Sequence, residues 1–281
     1  GCLRPTGGAG EPSRYTAHRP DRSDSMQSSE NTALVTGASA GIGEEFCRQL
    51  APRCRRLIVV ARRGEKLDRL AEELADRVEV RPVVADLSVA ADRERVVRAM
   101  DELGPVDVLV NNAGIGIFGP FHETRLEDQQ TQVDLHITAT LALTHAALPG
   151  MIERGRGAII NLSSTAAFSG KPNAMVYCAS KAFLNLFSRG LQAELAEHGI
   201  RVQSLCPGFT YSEFHDREGV TRAGFRRDQV PDEMWMEVSD VVADSLAALD
   251  GDRVTVLTGE HNRAMALEGL QVQIDDLRRK E

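Results

Sequence analysis

Short apolar runs alternate with longer amphipathic stretches from residue 31 onwards. Runs of valine, isoleucine and leucine without polar alternation are typical of parallel strands that are buried on both faces. The predicted strands cover residues 33–36, 57–61, 78–84, 106–110, 158–162, 201–205 and 254–257. Helical patterns lie between them, near 42–51, 65–76, 89–103, 125–153, 176–197 and 238–249. This alternation predicts an α/β fold, a single doubly wound domain with a central parallel sheet of about seven strands flanked by helices.

The two ends of the chain differ from this pattern. Residues 1–30 are rich in Pro, Gly, Ser, Arg and Asp and contain almost nothing apolar, which predicts a disordered N-terminal tail. A short helical pattern at 264–279 follows the last predicted strand. We therefore expect one domain over residues 31–260 and a C-terminal helical extension over residues 261–281.

Composition narrows the class of protein. The chain has 281 residues, of which 42% are hydrophobic and 26% charged, as in ordinary globular domains. A net charge of −8 without a basic stripe argues against nucleic-acid binding. No apolar run approaches the roughly 18 residues of a membrane span, so we expect no membrane insertion. The five cysteines are irregularly spaced, which predicts free thiols in the cytoplasm, and the seven histidines lack zinc-ligand spacing.

A glycine-rich turn is the first candidate for chemistry. Residues 36–43 read Thr-Gly-Ala-Ser-Ala-Gly-Ile-Gly, between an apolar run and a helical pattern. Such a turn lets backbone N–H groups approach a pyrophosphate at a helix N-terminus. The string alone is a weak signal, because many loops carry three glycines and its spacing differs from Gly-x-Gly-x-x-Gly.

A tyrosine and a lysine form the second candidate. Residues 177–181 read Tyr-Cys-Ala-Ser-Lys, which places Tyr177 and Lys181 on one face of a helix. An ammonium beside a phenol favours the phenolate, whose unperturbed pKa is about 10. A lone pair of this kind is usually a solvated helix face, so it gains weight only together with other signals.

Further signals fall at one edge of the predicted sheet. Ligands of such sheets bind beyond the carboxyl ends of the strands. Six candidate segments each follow a predicted strand directly: the glycine turn, Arg62, Asp86, residues 111–114, Ser163 with Ser164, and Pro207 with Gly208. Their convergence predicts a binding site at that edge.

The order and separation of these motifs resemble the short-chain dehydrogenase/reductase family over residues 31–260. Residues 61–63 resemble an uncharacterised bacterial branch of its NADP-type oxidoreductases. The resemblance implies a Rossmann-like domain that binds a nicotinamide dinucleotide. The cofactor-binding residues that it implies are Gly37, Ser39, Gly41, Ile42, Gly43, Arg62, Asp86, Leu87, Asn112, Ala113, Gly114, Tyr177, Lys181, Pro207, Gly208 and Thr210.

The resemblance also implies a catalytic group. Hydride delivery to a carbonyl carbon leaves negative charge on its oxygen, which needs a proton donor and a polarising group. In the family the tyrosine, here Tyr177, gives the proton, and a serine 13 residues upstream, here Ser164, holds the oxygen. Lys181 is expected to bind the nicotinamide ribose and to lower the pKa of Tyr177. Ser163 is expected to point elsewhere.

The choice of cofactor rests on the end of the second strand. Arg62 and Arg63 lie 19 and 20 residues past Gly43, where an acidic residue would bind the ribose 2′-OH and favour NAD. A guanidinium instead suits a 2′-phosphate through bidentate, charge-assisted hydrogen bonds. We therefore expect NADP(H) to be favoured over NAD(H). The alternative is that this arginine pair is only a solvated strand end.

One position departs from the family pattern. The family usually has an asparagine 28 residues before the active serine, where this chain has His136. In the family the backbone carbonyl of that residue holds a water in a proton relay, and a carbonyl survives any substitution. A histidine can titrate near neutral pH and tune the relay, or it packs in the helix as most lone helical histidines do.

The remaining expectations concern substrate and partners. The specificity region is expected near 209–236, where aromatic side chains either wall an apolar pocket or pack within a lid, and the charged run 222–228 predicts a solvated flap. We expect a small-molecule carbonyl or alcohol substrate, and a homodimer or tetramer that pairs the helices near 125–153 and 176–197. The alternative function is a non-catalytic NADP-binding regulator on the same fold. An epimerase or dehydratase would need additional acid–base groups.

Overall fold

The computed structural model describes residues 30–221 and 224–279. Its strands are β1 (Thr32–Thr36), β2 (Arg56–Ala61), β3 (Glu79–Val84), β4 (Val108–Asn111), β5 (Gly157–Leu162), β6 (Ile200–Cys206), β7 (Phe209–Thr210), β8 (Trp235–Met236) and β9 (Thr255–Leu257). Seven of them form one parallel sheet in the order β3-β2-β1-β4-β5-β6-β9, and β7 pairs with β8. The strand order reverses between β1 and β4, which is where doubly wound sheets form a crevice.

Helices cover both faces of the main sheet. They are α1 (Gly41–Leu50), α2 (Gly64–Leu74), α3 (Ala90–Leu103), α4 (Leu126–Val133), α5 (Ala139–Arg154), α6 (Met175–Leu195), α7 (Glu218–Thr221), α8 (Val238–Ala248) and α9 (Glu260–Arg278). One buried cluster joins the sheet to α1, α2 and α8, and a second joins it to α3, α5 and α6. The predicted fold class, a doubly wound domain with about seven parallel strands, is therefore confirmed.

The predicted elements agree with the observed ones to within a few residues. Every predicted strand occurs, because strands that are buried on both faces carry an unbroken apolar signal. Strand β3 is more exposed and tolerates Pro82 because it lies at the edge of the sheet. Helix α9 begins at Glu260, earlier than expected, and its Gly269 packs against the Phe168 carbonyl. The division of the chain near residue 260 stays a prediction, and the predicted tail falls almost entirely outside the described residues.

Residues 126–154 form one helical run that a π-helical turn, Asp134–Thr138, divides into α4 and α5. Within residues 30–221 and 224–279, this one run is long and apolar enough, by length and composition alone, to cross a membrane. The sequence analysis predicted a helix here but did not identify it as long and apolar enough for a membrane span, because polar residues interrupt its apolar runs. Leu143 and Met151 are at most 1% exposed and belong to the core cluster, so core packing accounts for part of its apolar composition.

Candidate active site

The carboxyl ends of the main-sheet strands line one cavity. Most of the predicted cofactor-binding residues lie on its surface: Gly37, Ser39, Gly41, Ile42, Arg62, Asp86, Leu87, Asn112, Ala113, Gly114, Lys181, Pro207, Gly208 and Thr210. Ser164 lies there too. Gly43 packs beneath the glycine turn against Asn112, and Tyr177 lies among the rings of Phe118, His136 and Phe214. The structure thus gathers the predicted segments at one sheet edge.

Asn112 and Thr36 fix the glycine turn. The Asn112 side-chain amide donates to the Thr36 carbonyl at 2.8 Å, and the Thr36 hydroxyl accepts from the Asn112 N–H at 2.9 Å. A Cβ on Gly37 or Gly43 would lie 2.6 or 2.3 Å from the same amide nitrogen. Gly37 also has a φ of +68°, which side chains disfavour. Glycine is therefore required here by close approach and, at Gly37, by backbone conformation.

Helix α1 begins at the end of this turn. Its N-cap residue is Ala40, and within the described chain no side chain caps it. The first N–H groups of a helix lack intrahelical partners and carry the positive end of the helix dipole. Because the turn brings these groups to the cavity surface, they fit the pyrophosphate of a dinucleotide.

Cationic side chains gather beside the turn at the end of β2. Arg63 donates to the Ser39 hydroxyl from Nε at 3.2 Å and from Nη2 at 3.0 Å. Arg62 is the more exposed of the pair, and its Nη1 lies 3.7 Å from Asp86 Oδ2. Both line the cavity, but Arg63 is the one that is tied to the glycine turn. Lys66, one helical turn further along α2, forms an ion pair with Glu213.

The Ser164 side chain lies close to the Tyr177 phenol and lowers its pKa, although the effect of burial is larger. Ser164 also caps the 3₁₀ turn Thr165–Phe168, where its hydroxyl accepts from the Ala166 N–H at 3.1 Å. Burial raises the pKa of Tyr177 to about 12, so the phenol carries its proton at neutral pH. Ser163 points away, as expected, and donates to the Lys181 carbonyl at 2.8 Å.

Lys181 lies one turn after Tyr177 on α6 and is only 4% exposed. Its ammonium donates to the Leu162 carbonyl at 2.7 Å and lies 5.6 Å from the centre of the Tyr177 ring. Burial lowers the pKa of Lys181 to about 7. That Lys181 lowers the pKa of Tyr177 stays a prediction, because in the free protein burial is the largest influence on this pKa and raises it. Burial disfavours both charged forms, and the ammonium is directed at a carbonyl rather than at the phenol.

His136 is buried inside the π-helical turn. Its Nε2 accepts from the Ile115 N–H at 3.1 Å, and its Nδ1 lies 2.8 Å from the Ser180 hydroxyl, which assigns the ring proton to Nδ1. Burial, with the nearby Lys181 charge, holds the pKa of His136 well below its usual range. Of the two alternatives for His136, this arrangement favours packing in the helix over titration near neutral pH. The neutral ring ties the loop after β4 to α6 and packs edge-on against Tyr177.

Two phenylalanines form the apolar wall beside Tyr177. The rings of Phe118 and Phe214 have centroids 5.3 and 5.9 Å from that of Tyr177. The other aromatic side chains of the specificity region pack mainly on one another and on His215: Phe209, Tyr211, Phe225 and Trp235. Both alternatives for this region therefore apply. Phe214 forms part of an apolar wall, whereas the other four aromatic side chains pack within the segment itself. The charged run is exposed and internally paired where it is described, as in the Arg226–Asp228 contact.

The sequence did not single out several residues in the cavity or beside it. Lys66 follows Arg63 by one helical turn, and that spacing could have signalled a shared anion site. Glu213 and Arg217 reach the cavity from the segment after β6, and the Arg217 guanidinium lies 3.3 Å from the Gly114 carbonyl. No local pattern indicates such contacts, because their partners lie more than 100 residues away.

A family model described as short chain dehydrogenase matches residues 31–222. The chain belongs to the short-chain dehydrogenase family. The match includes the glycine turn, Ser164, Tyr177 and Lys181. The Rossmann-like fold and the membership of an oxidoreductase family, both implied by the motifs, are therefore confirmed.

Individual relatives differ in what they are reported to do. Serine 3-dehydrogenase of Agrobacterium fabrum is 35% identical over 218 residues, which is 77% of this chain and 84% of that protein. Very-long-chain 3-oxoacyl-CoA reductase of Anas platyrhynchos is 39% identical over 181 residues, 62% of this chain and 58% of that protein. Inactive hydroxysteroid dehydrogenase-like protein 1 of Homo sapiens is 37% identical over 190 residues, 66% of this chain and 58% of that protein.

Among solved structures, a short-chain dehydrogenase from Sphingobium yanoikuyae in complex with NADPH is similar to this short-chain dehydrogenase over most of its length. The TM-score is 0.77 at 33% identity, and the match covers 89% of this chain and 97% of that one. The similarity therefore extends beyond the family match, over nearly the whole described chain.

Proposed function

We propose that this short-chain dehydrogenase is an NADP(H)-dependent oxidoreductase that interconverts a small-molecule carbonyl compound and the corresponding alcohol. The observation that supports this most is the placement of Ser164 at the cavity, close to the Tyr177 phenol, with Lys181 one turn further along α6. Two hydroxyl groups that converge beside a cavity can hold one carbonyl oxygen between them. The direct test is NADPH oxidation measured against a panel of aldehydes and ketones.

Each residue has a separate part in the proposed reaction. When bound, the nicotinamide cofactor supplies or accepts the hydride. Ser164 hydrogen-bonds the substrate oxygen, and Tyr177 transfers its hydroxyl proton to that oxygen as negative charge develops there. Because burial raises the pKa of Tyr177 to about 12, this donor is protonated at neutral pH. Lys181, which is buried beside the ring, binds the ribose and stabilises the phenolate that remains.

The cavity fits the cofactor at both ends. The uncapped start of α1 and the close-packed glycine turn suit the pyrophosphate. At the end of β2, Arg63 and Lys66 would bind a 2′-phosphate, with Arg62 at the rim beside Asp86. The NADPH complex of the Sphingobium yanoikuyae relative supports the same choice of cofactor.

Replacing Arg63 with glutamine is expected to weaken NADPH binding by about tenfold to a hundredfold, because a charge-assisted hydrogen bond contributes about 1.5–3 kcal/mol. NADH affinity should change little, since it lacks the 2′-phosphate. Arg62→Gln is expected to have a smaller effect, because Arg62 is 63% exposed in its side chain. Fluorescence titration with both cofactors measures this. Arg69→Gln, on the exposed side of α2, is the matched control. A parent protein that prefers NADH would contradict the assignment.

A non-catalytic nucleotide-binding protein remains the second candidate. The similarity to the human protein described as inactive favours it. The two candidates differ in one result, because a regulator would bind NADPH yet turn over none of the carbonyl panel. The Tyr177 variant described in the Discussion separates them further.

We also propose that the protein forms a homodimer or tetramer in the cytoplasm. Helices α5 and α6 expose Leu141 (40%) and Leu186 (69%), which would be buried if these helices pair across a two-fold axis. The four described cysteines are free thiols, as expected in a reducing compartment.

A double Leu141→Glu, Leu186→Glu variant is expected to be monomeric, because each change buries a carboxylate at the proposed interface. Sedimentation velocity at micromolar concentration measures the change. Val89→Glu adds the same charge at an exposed position that precedes α3 and belongs to neither α5 nor α6, and it should keep the parental state. A parent protein that sediments as a monomer would refute the proposal.

A further inference from the structure

The segment after β6 lies across the cavity. We call residues 209–221 the lid segment; its Ser212 Cβ lies 2.9 Å from where a Cβ on Gly41 would be, and its Arg217 reaches the Gly114 carbonyl. The cavity that remains has a volume of about 180 Å³. Ligand pockets typically measure about 300–1,000 Å³, so the lid segment narrows the cavity to less than the usual size.

One carboxylate of the lid segment binds the cations at the end of β2. Glu213 Oε2 accepts a hydrogen bond from Arg63 Nη1 at 2.7 Å, and Glu213 Oε1 accepts one from the Lys66 ammonium. These two cations hold the pKa of Glu213 below its usual range, so the carboxylate is charged at neutral pH. Arg63 also donates to Ser39 and thereby connects the lid segment to the glycine turn.

Glu213 therefore stands where the proposed function puts the 2′-phosphate of NADP(H). We infer that Glu213 is an internal competitor of that phosphate for Arg63 and Lys66, and that phosphate binding releases the lid segment. The inference rests on the proposed cofactor. Both ligands are oxygen anions, and the Nη1 and ammonium donors that Glu213 uses have to turn to the phosphate. A ligand without a 2′-phosphate leaves both ion pairs intact.

Trp235 provides a direct readout of the lid segment. It is the single tryptophan of the chain, and its ring lies 5.0 Å from Tyr211 and 4.9 Å from His215, which flank Glu213 on either side. Release of Glu213 should therefore change Trp235 fluorescence. The ligands for this experiment are 2′,5′-ADP and 5′-AMP, which differ only in the 2′-phosphate and lack a nicotinamide that would quench the signal.

The Glu213→Gln variant is expected to bind 2′,5′-ADP about threefold to tenfold more tightly than the parent, because two partly exposed ion pairs of up to about 1 kcal/mol no longer compete. Its affinity for 5′-AMP should stay near the parental value. Asp216→Asn is the matched control, because it removes a lid-segment carboxylate that binds Arg227 instead. Equal tightening of both ligands, tightening in Asp216→Asn as well, or weaker binding of 2′,5′-ADP by Glu213→Gln would overturn the inference.

Arg63→Gln separates this inference from the proposed cofactor. If the parent binds 2′,5′-ADP no better than 5′-AMP, the NADP assignment fails and the inference fails with it. If the parent prefers 2′,5′-ADP and Arg63→Gln removes that preference, the assignment stands. In that case a Glu213→Gln variant with parental affinities refutes competition by Glu213 alone.

Discussion

Replacing Tyr177 with phenylalanine should lower turnover by at least about 10²-fold to 10⁴-fold, the contribution that general acid catalysis typically makes. The substitution keeps the ring and its contacts with Phe118, His136 and Phe214 and removes only the hydroxyl. Ser164 would keep the hydrogen bond that its hydroxyl accepts from the Ala166 N–H. Folding should therefore change little, and the loss should appear mainly in the chemical step.

The cofactor affinity of this variant decides what the loss means. NADPH binding should stay within a few-fold of the parent, because the cations and the glycine turn that are proposed to hold the phosphates are untouched. Steady-state kinetics with an active carbonyl substrate, together with a fluorescence titration, measures both quantities. Tyr211→Phe is the matched control, since it deletes the same hydroxyl from a tyrosine of the lid segment. The ring of Tyr211 stacks on that of Trp235. A Tyr177→Phe protein with parental turnover would exclude Tyr177 as the proton donor.

The sequence predicted the sheet, and the edge at which the candidate site residues converge, for a simple physical reason. In a parallel βαβ chain every strand ends at the same edge, so residues that follow strands converge whatever their distance along the chain. Arg62, Asp86, Asn112, Ser164 and Gly208 line one cavity on that account. Only the position of each segment after an apolar run is needed to predict this.

Contacts made by the lid segment could not be predicted in the same way. Glu213 binds Arg63 across 150 residues of chain, and no periodicity links the two. The sequence named Arg62 as the phosphate ligand because it is the first residue after β2. In the structure Arg62 lies at the rim, whereas Arg63 is held by Ser39. A shift of one residue at a strand end changes the direction of the side chain, and local pattern alone does not determine it.

Sequence spacing does not show how burial shifts a pKa. His136 was expected either to titrate near neutral pH or to pack in the helix, and the expectation that Lys181 acts on Tyr177 rested on their separation of four residues. Both estimates omit burial, which is the largest influence on the pKa of His136, Tyr177 and Lys181. The sequence indicates that α6 is amphipathic but does not indicate how deeply its polar face is covered by the loop after β4 and by the lid segment.

Replacing Lys181 with methionine should lower both turnover and NADPH affinity. The change removes the cation beside Tyr177 and the proposed ribose ligand together, whereas the Tyr177 variant removes only the proton donor. Kinetics and cofactor titration of the two variants therefore give different patterns. Lys171→Met is the matched control, because it deletes an ammonium from an exposed lysine.

The same variant should change how stability depends on pH, because burial lowers the pKa of Lys181 to about 7 in the folded chain. An unfolded lysine has a pKa of about 10.4. Between these two values the unfolded chain holds a proton that the folded chain lacks, so this lysine makes the free energy of unfolding rise with pH. Below pH 7 both states are protonated and the dependence ends. The methionine variant lacks this contribution.

The melting temperature of the parent, relative to that of Lys181→Met, should therefore increase from pH 7 to about pH 9.5 in the absence of cofactor. The comparison between two variants cancels the other titrating groups that they share. It also separates burial from catalysis, and Lys171→Met, which removes an exposed lysine, is the control for the slope. A flat difference across this range would mean that Lys181 keeps its proton in the folded protein, and that burial does not lower its pKa.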